Sequence, residues 1–340
     1  MRKPKAIIVG GSIAGISCAK ALILAGWDVV VIEKTRGPQT GNPTGAGIAL
    51  HPLSEKIVKS WLHQPDLLHN ITLPLTIDQL EIRWLQLTGA AHQFARLFYQ
   101  TLNSGIQVTV LGGVFLIFRK MRILKPYKAS GRAYPELGNG VHAGLGPGTH
   151  TVLYELMYKR LNWIWYITQP EPELKGGSAT MKVSSDMIKK MHQEVEEICV
   201  PELARVIKET KEPFLNLIYD CDHLTQVYCD NVVFIGDAAH PITPHCARST
   251  NMAIADAAVL GKCLEKLGEE NLHSALEEYQ SVRLPVTTKQ VLNSRRVGQI
   301  KLGLPLPDRE LFDPNTASPE DCEILKQRSL PFFDDVPAIE

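Results

Sequence analysis

The stretch Ala6-Ile7-Ile8-Val9-Gly10-Gly11-Ser12-Ile13-Ala14-Gly15 runs on to Gly26 and then to Asp28-Val29-Val30-Val31-Ile32-Glu33. It reads as strand, glycine turn, helix, strand, with an acid closing the second strand. Ala6 to Val9 is short, apolar and rich in β-branched residues, which predicts a strand buried on both faces. Ile13 to Ala25 is apolar nearly all round, with Lys20 its only charge, and predicts a helix largely buried against a sheet. Gly26 stands where a left-handed helix cap is wanted, and Val29 to Ile32 forms the next strand.

Such a unit favours a dinucleotide. Gly10 permits the tight turn, Gly15 lets the helix pack close to the strand, and the helix N-terminus offers N–H groups and a positive dipole end to a pyrophosphate. Glu33 lies about twenty residues beyond the turn, where a carboxylate accepts both hydroxyls of an adenosine ribose. A carboxylate there repels a 2′-phosphate, so FAD or NAD is expected and NADP is not. Ser12 replaces the middle glycine of the usual G-x-G-x-x-G pattern. Its hydroxyl crowds the phosphate slightly but can donate to it.

Composition bounds the rest. A chain of 340 residues with 44% apolar content buries a sizeable core, in two lobes. Lys+Arg and Asp+Glu are both 36, and zero net charge argues against general nucleic-acid binding. The seven cysteines form no C-x-x-C pair and read as reduced thiols. No secretory leader precedes the first strand. The longest apolar run, Ile106 to Phe118, is too short to span a bilayer. A cytoplasmic protein without a membrane span is expected.

After Glu33 and Lys34 the chain is turn-rich, through Gly45-Ala46-Gly47-Ile48. Leu53 to Leu62 predicts a helix, Leu75 to Leu87 strands, Phe94 to Leu102 a helix and Ile106 to Phe118 a strand. Six basic residues and no acid lie between Arg119 and Arg132. They read as a solvated linker face, or as a phosphate or membrane patch. Gly138 to Gly148 predicts a loop. Val152 to Leu156 and Asn162 to Ile167 predict strands whose Trp163, Trp165 and Tyr166 suit a sheet core or a pocket. Asp186 to Cys199, capped by Ser184 or Ser185, and Leu203 to Glu209 predict helices.

A second informative stretch is Asn231-Val232-Val233-Phe234-Ile235-Gly236-Asp237-Ala238-Ala239-His240-Pro241. It predicts an apolar strand running into Gly-Asp, a loop from Pro241 to Ser249, and a helix from Asn251 to Leu267. Gly236 admits a ligand to the strand end, Asp237 can hydrogen-bond a polyol, and the helix N-terminus favours negative charge beyond it. Leu272 to Arg283 predicts a helix broken at Pro285, and Val286 to Lys301 a second with Arg295 and Arg296 exposed. Five prolines from Pro305 to Pro331 imply a tail wrapped on the surface or disordered.

Taken together, Gly10-Gly11-Ser12-Ile13-Ala14-Gly15, Glu33 and Gly236-Asp237-Ala238-Ala239-His240-Pro241 resemble the FAD-dependent aromatic hydroxylases, the single-component flavoprotein monooxygenases of p-hydroxybenzoate hydroxylase fold. The plant-type branch allied to dihydroxypyridine and urate hydroxylases is most similar, with counterparts of Gly45-Ala46-Gly47-Ile48 and Leu161-Asn162-Trp163-Ile164-Trp165-Tyr166. The resemblance implies an α/β fold: an FAD-binding, Rossmann-like domain of glutathione-reductase type with a β-sheet substrate domain, its middle shortened. The implied segments are 1–70 and 216–302 for the FAD domain, 71–118 mixed, 119–215 for the truncated substrate sheet and helices, and 303–340 for the Pro-rich tail.

The implied cofactor-binding residues are Gly10, Gly11, Ser12, Ile13, Ala14, Gly15, Glu33, Lys34, Gly236, Asp237, Pro241 and Asn251. Among these, Gly10, Ser12 and Gly15 serve the pyrophosphate, Glu33 the adenosine ribose, Asp237 the ribityl chain, and Pro241 the flavin's reactive edge. NAD(P)H is implied as reductant, with O2 and a small aromatic substrate as partners and a flavin hydroperoxide as oxidant. The cofactor carries this chemistry, so no catalytic residue and no metal ligand is assigned. His240 and His245 fall near the expected flavin, as site residues or as ordinary loop histidines.

Three departures from the family are legible. The chain has no Asp-Gly dipeptide, where the family carries one on a mid-chain strand. The connection between Phe118 and Arg132 is short. Ala247 and Ser249 stand where the family is glycine-rich, adding bulk beside the ring. A working monooxygenase, a shortened FAD-binding relative without turnover and an NAD-dependent dehydrogenase therefore all follow as readings. The last leaves the Gly236–Pro241 segment without a task.

Overall fold

The structure is a computed structural model and describes residues 3–34, 47–64, 66–72, 82–84, 115–117, 121–122, 141–146, 148–156, 160–168, 180–199, 201–210, 213–219, 221–308, 311–312, 317–320 and 325. The expected elements at 75–81, 94–102 and 106–114, most of the basic stretch and much of the tail lie outside these residues. Strands β1 (Lys5–Val9) and β2 (Asp28–Ile32) pair in parallel, Ile8 opposite Val31, with helix α1 (Ile13–Leu24) crossing between them. Gly26, at φ +87°, takes the left-handed turn that brings the Trp27 N–H back to the Leu22 carbonyl. Helix α2 (Pro52–Trp61) starts on a proline and on the His51 ring, which accepts from the Leu53 N–H; a short α3 (Asp66–Ile71) follows.

The expectation that β1 is buried on both faces is wrong. Ile8 is buried, but Ile7 and Val9 are 70% and 84% exposed, and Val30 and Ile32 are exposed beside them. Among the described residues β1 and β2 pair only with each other, so one face meets α1 and the other has no layer over it. The outer side of α1, at Ile16, Ile23 and Leu24, is exposed as well, so the helix is buried on one face only.

A five-stranded sheet runs in the order β3 (Ile82–Trp84), β6 (His142–Gly146), β7 (Thr149–Leu156), β8 (Arg160–Ile167), β5 (Met121–Arg122). Beside it lies a three-stranded antiparallel sheet ordered β4 (Phe115–Ile117), β10 (Phe214–Leu217), β9 (Thr180–Lys182). Gly138 to Gly148 is thus not all loop: Gly144 and Gly146 sit within β6, which pairs with β3 on one side and β7 on the other.

Alternation sorts the β7–β8 hairpin into two faces. Leu153, Leu161, Trp163 and Trp165 pack on α4 (Ser185–Ile198) and α5 (Pro201–Lys208), through Met191, Val195, Leu203 and Ile207. Both indoles are fully buried and keep their N–H bonded, Trp163 to Thr210 Oγ1 at 3.0 Å and Trp165 to Thr149 Oγ1 at 2.7 Å. His150, Val152, Tyr154, Ile164 and Tyr166 point to the opposite face. Ser184 caps α4, accepting from the Met187 N–H.

The chain returns through a small hairpin, β11 (Tyr228–Cys229) and β12 (Val232–Val233). The expected strand from Asn231 to Ile235 shrinks to two residues because its only described partner is β11, and Val232 is exposed. Helix α6 (Ser249–Leu267) then packs along α1. Gly261 makes this close approach possible, since a methyl there would stand 2.9 Å from the Ala21 Cβ. Cys18, Leu22, Leu260 and Leu264 of the two helices share one core with Leu276 and Tyr279 of α7 (Leu272–Lys301).

Helix α7 does not break at Pro285. Proline removes an N–H and frees the Ser281 carbonyl, but both residues are on the exposed side, where water replaces the lost bond. Arg295 is not exposed as expected: it is 18% exposed and bonds Asp222 Oδ1 at 2.9 Å and the Cys221 carbonyl at 3.1 Å. From the tail, Phe312 and Leu325 are buried against Leu145, Val297 and Ile300. No helix among the described residues is long and apolar enough to cross a membrane.

Candidate dinucleotide site

The turn after β1 is built on backbone requirements. Gly10 takes φ +103°, and its N–H bonds the Ile32 carbonyl at 2.8 Å. A methyl on Gly15 would lie 1.9 Å from the Gly10 carbonyl oxygen, so only glycine lets α1 start this close to the strand. Ser12 is the N-cap residue yet makes no side-chain cap bond, and no acid lies in the first turn. The end of α1 thus presents uncapped N–H groups and its positive dipole. Glu33, exposed, reaches back so that its Oε2 accepts from the Gly11 N–H at 2.7 Å. Lys34 is exposed beside it.

About two hundred residues later, Gly236 returns to this turn. At φ +57° it also needs glycine, and a methyl on it would sit 2.8 Å from the Ala14 Cβ. Asp237 stands exposed in the single 3-10 turn Gly236–Ala238. Its Oδ1 accepts from Ser249 Oγ at 2.6 Å, across the loop at the start of α6. Pro241 is half-buried on the same loop. Gly10, Gly11, Ser12, Ile13, Ala14, Gly15, Glu33, Gly236 and Asp237 therefore come together. Asn251 does not share their exposure. Its Oδ1 accepts from the His51 N–H at 2.8 Å and its amide donates to the Ala49 and Ala247 carbonyls, so it ties the 47–51 segment to α6. Burial demands partners for its whole side-chain amide, and these backbone groups supply them.

Behind the Gly236 turn lies a network that the sequence reading missed. Asp256, fully buried, accepts from the Gly236 N–H at 2.8 Å and bonds His240 Nε2 at 2.5 Å and Arg283 Nε at 2.7 Å. Burial alone would raise this carboxyl; the charges of His240 and Arg283 reverse that and hold it well below the usual carboxylate range. The signal was available: Asp256 is the one charge between Met252 and Gly261 on an otherwise apolar helix. His240 is thus no idle loop histidine: it is a buried partner of Asp256.

On the second face of the β7–β8 hairpin His150 stacks on Tyr166, their ring centroids 4.0 Å apart and planes within 4°. His245 closes on both, 5.0 Å and 4.7 Å away. Burial, with Lys301 nearby, pushes His245 down to about 3, and burial with His245 and Lys301 pushes His150 down as well. Both ring nitrogens of His150 and Nδ1 of His245 are buried without a hydrogen-bond partner. Lys301 Nζ, itself buried, donates to the His245 carbonyl at 2.8 Å. Ala247, two residues on, holds φ +53° and ψ +39°, a left-handed conformation for a residue with a Cβ.

The FAD binding domain family matches residues 182–294. Aurachin C monooxygenase/isomerase of Stigmatella aurantiaca is 40% identical over 83 residues, 24% of this chain and 21% of the relative. The chain thus spans about a fifth of that curated relative. A more extended match, 22% identical over 86% of this chain and 87% of the relative, is to 3-hydroxybenzoate 6-hydroxylase of Polaromonas naphthalenivorans. Among solved structures, 2,6-dihydroxypyridine-3-hydroxylase of Arthrobacter nicotinovorans superposes at a TM-score of 0.68 over 94% of this chain and 99% of that one, at 18% identity. The Klebsiella pneumoniae protein HpxO, solved with FAD and uric acid, gives 0.65 over 88% and 89%, at 17% identity. The structural likeness establishes the fold, and with the sequence matches it identifies the chain as a relative of the FAD-dependent aromatic hydroxylases.

Proposed function

We propose that the chain is an FAD-dependent monooxygenase that hydroxylates a small aromatic substrate with O2, at the expense of NAD(P)H. The observation that carries this reading is the meeting of Ala14 with Gly236, which joins the glycine turn to the Gly-Asp turn across the whole sequence. A dehydrogenase using only the first turn has no use for that junction. The residues fit the cofactor at its adenosine end: glycines at every close approach, an uncapped helix N-terminus for the pyrophosphate, and the Glu33 carboxylate for the ribose. Asp237 takes a ribityl hydroxyl, and Pro241 stands toward the reactive edge. FAD, when bound, supplies the redox chemistry, and the protein's part is to bind, orient and exclude water. Relatives named for hydroxybenzoate and dihydroxypyridine support a small aromatic substrate.

A second reading, FAD binding without turnover, is favoured by one observation. The chain has no Asp-Gly dipeptide, which the family carries on a mid-chain strand. The purified protein decides between them. Flavin absorption bands, bleached by NADPH without oxygen and restored by air with a hydroxylated product, support turnover. Bands that NADPH leaves unbleached support the second reading. A colourless protein that FAD cannot reconstitute sinks both.

A further inference from the structure

We propose that Ser249 sets the affinity for FAD by competing with the cofactor for Asp237. The inference rests on the reading above, in which Asp237 serves the ribityl chain. Ser249 Oγ lies 2.6 Å from Asp237 Oδ1, the distance of a short hydroxyl–carboxylate bond. Asp237 is exposed on its turn, so the bond does not bury a charge; its effect is to occupy one acceptor of an otherwise exposed carboxylate. Ser249 opens α6 and is not its N-cap, and the N-cap residue Arg248 makes no side-chain cap bond. The hydroxyl therefore closes no helix end. It spends its donor on the one carboxylate of the Gly236–Ala238 turn. A polyol reaching Asp237 must displace this hydroxyl or settle for the remaining lone pairs. Giving up one such exposed bond is worth about fivefold in an equilibrium.

The contact lies at the ribityl end and not at the adenosine end. Glu33, Gly11 and Ser12 belong to another turn, so Ser249 has no means of changing how an adenosine diphosphate is held. This separates competition from a general loss of structure, which would weaken both ligands alike. Dissociation constants for FAD and for ADP, measured by flavin fluorescence quenching and by calorimetry, test it on wild type, Ser249→Ala and Ser249→Gly. FAD should bind about fivefold more tightly to both variants, with ADP unchanged in all three. FAD binding that is unchanged or weaker in the variants overturns the proposal, as does a shift shared equally by FAD and ADP. If neither wild type nor either variant binds FAD, the reading of the site fails and the proposal falls with it. Saturable FAD binding to wild type without a gain in the variants sinks the proposal alone.

Discussion

The two ends of the proposed FAD site are made of different material. At the adenosine end the ligand-facing surface is backbone: Gly10 and Gly15 make the turn, the start of α1 carries no side-chain cap, and the one side chain drawn in, Glu33, is exposed and accepts from the Gly11 N–H. At the ring end the same loop that should face a ligand is filled by its own side chains. Ser249 holds Asp237, Ala247 is forced left-handed, and His245 is wedged against His150, Tyr166 and Gly298. A surface of backbone donors recognises phosphate by geometry that three glycines specify. A surface of side chains must be assembled from distant segments, and each added atom changes what fits.

The Asp256 network supports the ring end, and removing it is the largest expected effect. Asp256→Ala leaves Arg283 a buried guanidinium without its carboxylate and frees the Gly236 N–H. Breaking such a pair costs about 4 kcal/mol, read in urea unfolding. If the two ends are as separate as their construction suggests, a folded remnant keeps ADP while losing FAD. Equal loss of both ligands would dissolve the contrast. The matching break at the adenosine end is Gly15→Ala, whose methyl meets the Gly10 carbonyl and must push α1 off its strand. Overpacking of this kind costs about 3 kcal/mol, and ADP affinity should fall with FAD affinity. Retained ADP binding would show that the turn tolerates the shift.

Acid sharpens the contrast without mutation. His245 titrates at about 3 in the folded protein against 6.5 unfolded, because burial and Lys301 disfavour its charged form. Its folded value is depressed, so the unfolded chain binds more protons between these limits. The contribution is whole above pH 6.5 and declines as the pH falls toward 3. At pH 5 this amounts to about 2 kcal/mol from His245, with His150 adding in the same direction. A His245→Asn variant, lacking the titrating group, should lose less stability between pH 7 and pH 5 than wild type does. An identical slope in both would remove His245 from the account.

How much of this was legible follows the same division. The β1–α1–β2 unit, the Gly236–Asp237 turn and α6 were read from sequence because each depends on neighbours in the chain: glycines at turns, apolar periodicity, an acid at fixed spacing. What failed depended on layers. Nothing local to Ile7 and Val9 reveals that they are exposed on one face of their strand, and nothing local to Asn231–Ile235 reveals that, among the described residues, it pairs only with the two residues of β11. Pro285 misled because its damage falls on water. Asp256 could have been found, as an isolated charge on an apolar helix face.

The smallest effect tests the ring end at its least compensated atom. Ala247 carries a Cβ at φ +53° and ψ +39°, where an L-residue crowds its own carbonyl by about 1–2 kcal/mol. Tertiary structure imposes that conformation: the Ala247 N–H bonds the Pro244 carbonyl at 3.0 Å, and the Ala247 carbonyl accepts from the buried Asn251 amide. The side chain itself is exposed, so deleting it forfeits almost no packing. Ala247→Gly relieves the crowding but adds freedom to the unfolded chain, and the difference should stabilise the protein by about 1 kcal/mol. In thermal unfolding that is about 2 °C for a chain of this size. A rise places strain at the ring end and none at the adenosine end, where every positive φ already belongs to glycine. An unchanged or lower midpoint would mean that the loop relaxes around Ala247, and the difference between the two ends would then rest on Ser249 and His245 alone.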